Sequence, residues 1–286
     1  MIKLLYKEKY VSSFQKIKNF AKLNNIKKIG HSGTLDPFAE GLLLIATDED
    51  TKLIPYIDSK FKTYEATIQL GLSSDTLDMD GAIIKHNKFY NLDKKNIVNV
   101  LNSFKGISEQ IPPHYSAKKI NGQRAYKLAR ENKIFELQKQ SIEISEINFL
   151  NFDLKNQLIK FNCTVSRGTY IRVLIKDIVD KLNVKGLMSE LIRTKINNLT
   201  FKDLNKSKLN EYDLISEPIY ILNIQELKNL FQGKKIKINN LRINYFEKIL
   251  ILGYKKNIIG VGEINNEFLK PKKLFGKKIE RILQNE

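Results

Sequence analysis

The run Gly30-His31-Ser32-Gly33-Thr34-Leu35-Asp36-Pro37 sets one carboxylate, Asp36, in a segment built to aim it. Gly30 and Gly33 permit backbone angles closed to other residues. Pro37 fixes its own φ and pushes Asp36 toward extended geometry. A carboxylate held this way can attack a reacting centre or stabilise one. The same eight residues read equally well as a turn that Asp36 merely caps, an ordinary role for Asp before Pro. The other chemistry-bearing residues are sparse. One cysteine, Cys163, excludes an internal disulfide and a multi-Cys metal site. Three histidines, His31, His86 and His114, show no metal-ligand spacing.

The elements that must position Asp36 follow from pattern. Ser12 or Ser13 caps a helix carrying Phe14, Ile17, Phe20 and Ala21 on one face. After the loop, residues 42–46 read as a buried strand and 48–57 as a short helix. Residues 64–70 alternate as a strand, and 71–81 form a turn-rich loop with Asp75, Asp78 and Asp80. Helical spacing covers 92–104, Pro112-Pro113 breaks the chain, and 125–132 reads as a short helix. Strands are expected at 142–150 and 158–165, then a helix over 170–182 with Leu174, Ile178 and Leu182 repeating at four. Beyond a looser stretch at 210–232, short strands at 235–238, 249–252 and 258–264 predict a small all-β domain that packs on the first.

Composition narrows the partners. The 286 residues carry 49 Lys+Arg against 31 Asp+Glu, a formal charge of +18, which favours a polyanion by counterion release. An anionic membrane surface competes, but neither a basic amphipathic helix nor a lipid anchor is found. The joint richness in Lys, Asn and Ile leaves a third reading, compositional drift. No apolar run is long enough to span a bilayer, and the first six residues are too short an apolar run for a signal peptide, so a reducing cytoplasm is the expected location.

Four separated segments then read together. They are the Gly30 to Pro37 run; Lys62-Thr63-Tyr64 with its strand into Gly71; Gln110-Ile111-Pro112-Pro113-His114-Tyr115-Ser116-Ala117-Lys118-Lys119, continued by Gly122, Tyr126 and Ala129-Arg130; and Ser166-Arg167-Gly168-Thr169-Tyr170-Ile171-Arg172. In this order they closely resemble the tRNA pseudouridine-55 synthases of the TruB type, standalone enzymes that modify the T-loop uridine. Leu191-Ile192-Arg193-Thr194 is similar to the segment closing that family's uracil pocket. Residues 259–263 with Leu269-Lys270-Pro271 resemble its C-terminal PUA domain, an RNA-binding β-barrel. The family's DKPxGxSS pattern is present as Tyr6-Lys7-Glu8-Lys9-Tyr10-Val11-Ser12-Ser13, without the Pro and the Gly. Thr34-Leu35-Asp36 argues against the families acting on ribosomal RNA, which carry Arg-Leu-Asp there. The guided ribonucleoprotein relatives carry longer extensions, and a non-catalytic RNA chaperone would not require Asp36, Tyr64 and Arg172.

The resemblance implies an α+β fold: a pseudouridine synthase domain over residues 1–221 with a mixed, largely antiparallel sheet, and a PUA-like β-barrel over 222–286. It implies an isomerase that breaks the C1′–N1 bond of a tRNA uridine, turns the base and joins C1′ to C5. Asp36 is the implied essential carboxylate. Whether it attacks C1′, attacks C6 or helps form a glycal, it must be ionised and close to the sugar. Arg172 would orient Asp36 and keep its pKa low; Tyr64 would stack on the uracil; Leu191 would wall the pocket. His31 would replace stacking lost when the uridine is flipped out. Tyr115, Lys118 and Lys119 are expected to bind substrate, the lysines on phosphate. No cofactor, metal or obligate protein partner is expected. The T-arm of tRNA is the implied partner of a monomer.

Overall fold

The computed structural model describes residues 1–57, 60–116, 118–120, 122–131, 133–238, 249–265 and 267–286. Ala117, and Asn132 at the end of the expected 125–132 helix, lie outside them.

The chain opens with β1 (Ile2–Lys7), α1 (Ser13–Leu23), β2 (Ile29–His31), β3 (Glu40–Thr47) and a 3-10 helix at Asp48–Tyr56. β4 (Phe61–Leu70) runs into a small hairpin of β5 (Leu72–Ser73) and β6 (Ile84–Lys85). Next come α2 (Lys94–Asn102), β7 (Gly106–Gln110), a second hairpin of β8 (Lys119–Ile120) and β9 (Gln123–Arg124), and α3 (Ala125–Arg130). β10 (Gln140–Asp153), β11 (Leu158–Ser166), α4 (Ile171–Lys181) and β12 (Gly186–Ile196) follow.

One sheet takes the order β1-β3-β12-β4-β11-β10-β7, with β2 added to β3. All pairs are antiparallel except β12 against β3, so the expected mixed, largely antiparallel sheet is present. The parallel join is short, Ile192 opposite Glu40 and Arg193 opposite Gly41. Gly41 has a φ of 112°, and a Cβ there would lie 2.4 Å from the Arg193 carbonyl oxygen, so only glycine permits this approach. Helix α4 buries Ile171, Leu174, Ile175, Ile178 and Val179 against the sheet, as its spacing requires. Helix α1 is capped by the Ser12 side chain, which accepts from the Gln15 N–H, and it buries Ile17 and Ala21. Phe14, expected on that buried face, is exposed.

The C-terminal part contains β13 (Ile219–Ile221), α5 (Ile224–Phe231), β14 (Ile236–Lys237), β15 (Ile249–Tyr254), β16 (Asn257–Asn265), β17 (Phe268–Leu274) and α6 (Gly276–Leu283). Its strands form an open five-stranded half-barrel, β13-β15-β16-β17-β14. The expectation of an all-β domain is corrected: α5 buries Leu227 and Leu230, and α6 buries Ile279, in the core of this sheet. An Asn223–Glu226 capping box starts α5. Strand β13 pairs with β15, so residues 219–221 go with the C-terminal sheet although they precede the 221/222 boundary.

The two parts share a core. Ile2, Leu4, Leu42 and Leu44 of β1 and β3 pack in one cluster with Ile251, Ile258, Val261 and Phe275. Beside it the Lys278 ammonium donates to Asp50 Oδ1 at 2.8 Å and to Glu211 Oε1 at 2.8 Å, while its backbone N–H donates to Glu49. No helix of the described residues is long and apolar enough to cross a membrane.

Candidate active site

The Asp36 loop is fixed from below. The buried Ser13 hydroxyl donates to the Leu35 carbonyl and accepts from the Leu35 N–H, at 3.0 and 2.9 Å. The Lys7 ammonium, fully buried, donates to the carbonyls of Glu8, Val11 and Pro37. Burial lowers its pKa to about 8, against the pull of Asp36 and Glu8. The Tyr10 N–H donates to the Pro37 carbonyl at 2.7 Å. Tyr10 stands where the DKPxGxSS pattern has Gly, and it keeps a left-handed φ of 63°. A left-handed φ is the region that glycine enters without strain. On the other side of the loop, Arg193, also fully buried, donates to the carbonyls of Leu42 and Gly33.

Arg172 projects from the first turn of α4, with Asp36 far from it in sequence. Its Nε lies 3.1 Å from Asp36 Oδ2 and its Nη2 donates to Asp36 Oδ1 at 3.3 Å, a two-pronged fork. Arg172 is 5% exposed, and the Asp36 side chain, 35% exposed, opens toward the cleft. Nε also lies 3.5 Å from Asp78 Oδ2, while Nη1 and Nη2 donate to the carbonyls of Thr76 and Tyr115. Asp78 is itself buried and accepts from the Asp80 N–H and the Thr76 hydroxyl. The start of α4 is clamped by Gln110: its amide accepts from the Tyr170 N–H at 2.8 Å and donates to the Tyr170 carbonyl at 3.1 Å. The Gln110 to Tyr115 stretch is thus a cradle for Arg172.

The electrostatics correct one expectation. Loss of water around Asp36 pushes its carboxyl above the usual aspartate value; Arg172 and Lys7 pull it down, and Asp78 pushes it up again. Arg172 orients the acid, but the net direction is upward. His31 is held below its ordinary pKa, chiefly by burial and then by Arg193, and its Nδ1 accepts from the Gly33 N–H at 3.3 Å.

A cleft of about 380 Å³ crosses the central strands. His31, Asp36, Tyr64, Arg172 and Leu191 all line it. Five of the eight residues singled out in the sequence therefore meet in one place. A second cavity, about 1010 Å³, adjoins it and shares His31, Asp36 and Arg172; Tyr115 lines this one. Lys118 and Lys119 line neither; Lys118 reaches Gln140 Oε1 at 3.4 Å. Sequence reasoning quoted four charged groups only as members of their segments and gave them no role: Lys7, Lys62, Asp78 and Arg193. Lys62 lines the cleft, its pKa lowered to about 8 by burial and then by Arg193 and Arg167. Its signal was present, since it stands two residues before Tyr64 on the same face of β4.

An Asp–Arg fork at an open cleft, on a mixed sheet with a half-barrel at its end, defines the class as the pseudouridine synthase fold. A solved Cbf5-Nop10-Gar1 complex contains a chain with a TM-score of 0.66 at 19% identity, covering 96% of this chain and 84% of its own. The model of the TruB family pseudouridylate synthase N-terminal domain matches residues 21–171. The tRNA pseudouridine synthase B of Mycoplasma mobile is 48% identical over 99% of this chain and 97% of the relative. That of Mycoplasmopsis pulmonis is 42% identical over 100% and 99%, and that of Aquifex aeolicus 33% over 95% and 98%. The chain belongs to the TruB family of pseudouridylate synthases, and is an enzyme.

Proposed function

We propose that this enzyme converts the T-loop uridine at position 55 of tRNA to pseudouridine, with Asp36 as the essential carboxylate. The Asp36–Arg172 fork at the mouth of the cleft carries the reading. The reaction breaks C1′–N1, turns the uracil and forms C1′–C5; the C5 proton leaves and N1 gains one, so no redox partner or phosphoryl donor is needed. Asp36 must be ionised beside the sugar, and Arg172 holds its two oxygens in one orientation. Tyr64 lies against the base, Leu191 walls the pocket, and the half-buried His31 takes the stacking position vacated by the flipped uridine. Tyr115, Lys118 and Lys119 contact the RNA outside the cleft. The C-terminal half-barrel, taken from residue 219 onward, is a PUA-like module that holds the T-arm, and the protein acts as a monomer.

The test is to incubate pure protein with unmodified tRNA and map pseudouridine at every position. Asp36→Asn keeps the shape and removes the charge, so it should abolish turnover while tRNA still binds. Multiple turnover by clean Asp36→Asn protein would assign the reaction to another residue.

A further inference from the structure

Between Glu8 and Asp36 the chain carries six lysines and no carboxylate. Most of this run is α1 and the turn that follows it. The helix buries Ser13, Ile17 and Ala21, so its opposite face is Gln15, Lys18, Asn19 and Lys22, all exposed. The turn presents Lys27 and Lys28, exposed as well. Lys16, on the flank of the helix, is paired with Glu8 at 2.6 Å. The ammonium groups of Lys18, Lys22, Lys27 and Lys28 make no hydrogen bond or salt bridge among the described residues. Lys18 and Lys22 stand one turn apart, where like charges repel and weaken a helix. A solvated helix ordinarily mixes both signs at that spacing. A repulsive face of this kind is relieved by an anion from outside the molecule.

The placement of α1 says which anion. Strand β3 alternates: Leu42, Leu44 and Ala46 pack with the C-terminal half-barrel, while Leu43 and Ile45 pack with Ile17 and Phe20 of α1. The helix and the half-barrel thus cover opposite faces of the same strands. The first turn of α1 borders the larger cavity, and its 11 residues carry the last turn roughly 15 Å further along the axis. A stem that leaves the cleft along the half-barrel therefore diverges from α1. A branched RNA with one loop in the cleft can meet both, one arm on each face. Phosphates spaced along an arm suit lysines spaced along a helix face, with Gln15 and Asn19 as amide donors beside them. We propose that the outer face of α1 is a second RNA-docking surface, where Lys18 and Lys22 hold the sugar-phosphate backbone of a tRNA arm other than the T-arm. This rests on the reading of a T-loop substrate given above.

The experiment uses the full chain, unmodified full-length tRNA and a T-arm hairpin. KM and kcat are measured for wild type and three double variants: Lys18→Gln with Lys22→Gln, Lys18→Arg with Lys22→Arg, and Lys105→Gln with Lys155→Gln. The last removes the same charge from exposed positions near the other end of the sheet, after α2 and between β10 and β11. The α1 glutamine pair should raise KM for full-length tRNA about 5- to 50-fold, the loss of one or two phosphate contacts at about 0.1 M salt, with kcat unchanged. Its affinity for that tRNA should also fall less steeply with salt, the log–log slope being shallower by about 1 to 2. On the hairpin the same pair should match wild type in both constants, which also shows that it is folded. The arginine pair should restore KM. A KM for full-length tRNA within twofold of wild type overturns the surface. So does a loss that the hairpin shares, or one that the Lys105 and Lys155 pair matches. Wild-type protein that forms no pseudouridine in either RNA overturns the functional reading, and the surface with it.

Discussion

Arg172 faces two carboxylates, Asp36 and Asp78, and the site's behaviour turns on how one cation is divided between them. Burial and Asp78 both push the Asp36 carboxyl up, so the ionised form is lost at a higher pH than for a surface aspartate. With tRNA saturating, kcat should therefore fall on acidification along a limb centred above the ordinary value of 3.8. A limb at or below that value would show that Asp36 is not the titrating group. Arg172→Lys replaces a fork by a point charge. The loss of one charge-assisted hydrogen bond predicts a fall of about 10- to 100-fold in kcat, with the acid limb moved to higher pH. Rates equal to wild type would remove Arg172 from the site. Asp36 was legible in the sequence because its glycines and proline are neighbours in the chain. The burial of Asp78 and Arg193 was not, although both stand in segments the sequence singled out, since nothing local distinguishes an aspartate or arginine that tertiary packing buries from one that water surrounds.

The turn after β1 shows what an element can absorb. Tyr10 is 80% exposed and sits at a φ of 63°, a region unfavourable for a side chain of that size. Tyr10→Gly should remove that strain without losing packing, partly offset by the extra freedom of glycine when unfolded. A net stabilisation of about 0.5–1 kcal/mol is expected from the shift of the urea midpoint. Destabilisation would mean that the ring has a structural partner. The long central elements were legible: α4 and β11 carry clean periods of 3.6 and 2. The edge strands β1 and β7 and the C-terminal helices were not. β1 hides its alternation behind the buried Lys7, and β7 exposes Ile107 at the sheet edge. α6 is eight residues long with one buried side chain, too little pattern to separate it from a basic turn.

At the scale of the whole molecule, the cluster joining β1 and β3 to β15, β16 and Phe275 makes the two parts one folding unit. Heat should melt the chain in a single transition, and two resolved transitions would show that the parts are independent. Lys278→Met leaves Asp50 and Glu211 partly buried without their shared cation, and should lower stability by about 1–3 kcal/mol in that same transition. The same argument rules out truncation after Ile221 as a test of the C-terminal part, since it strips the cover from β1 and β3. Charge reversal at the exposed Lys234 and Lys235 is the sounder probe, and should raise KM for tRNA more than it lowers kcat. Binding should also weaken steeply with salt, as expected for a chain of net charge +18; a flat dependence would make the excess compositional. The shared core has one more consequence. It sets the span between the reacting carboxylate and the terminal sheet, much as the jaws of a caliper are set by their frame. If the terminal sheet grips the substrate as proposed above, a polymer that must touch both ends is sorted by its own dimensions, and its folded shape is gauged before any letter written on it.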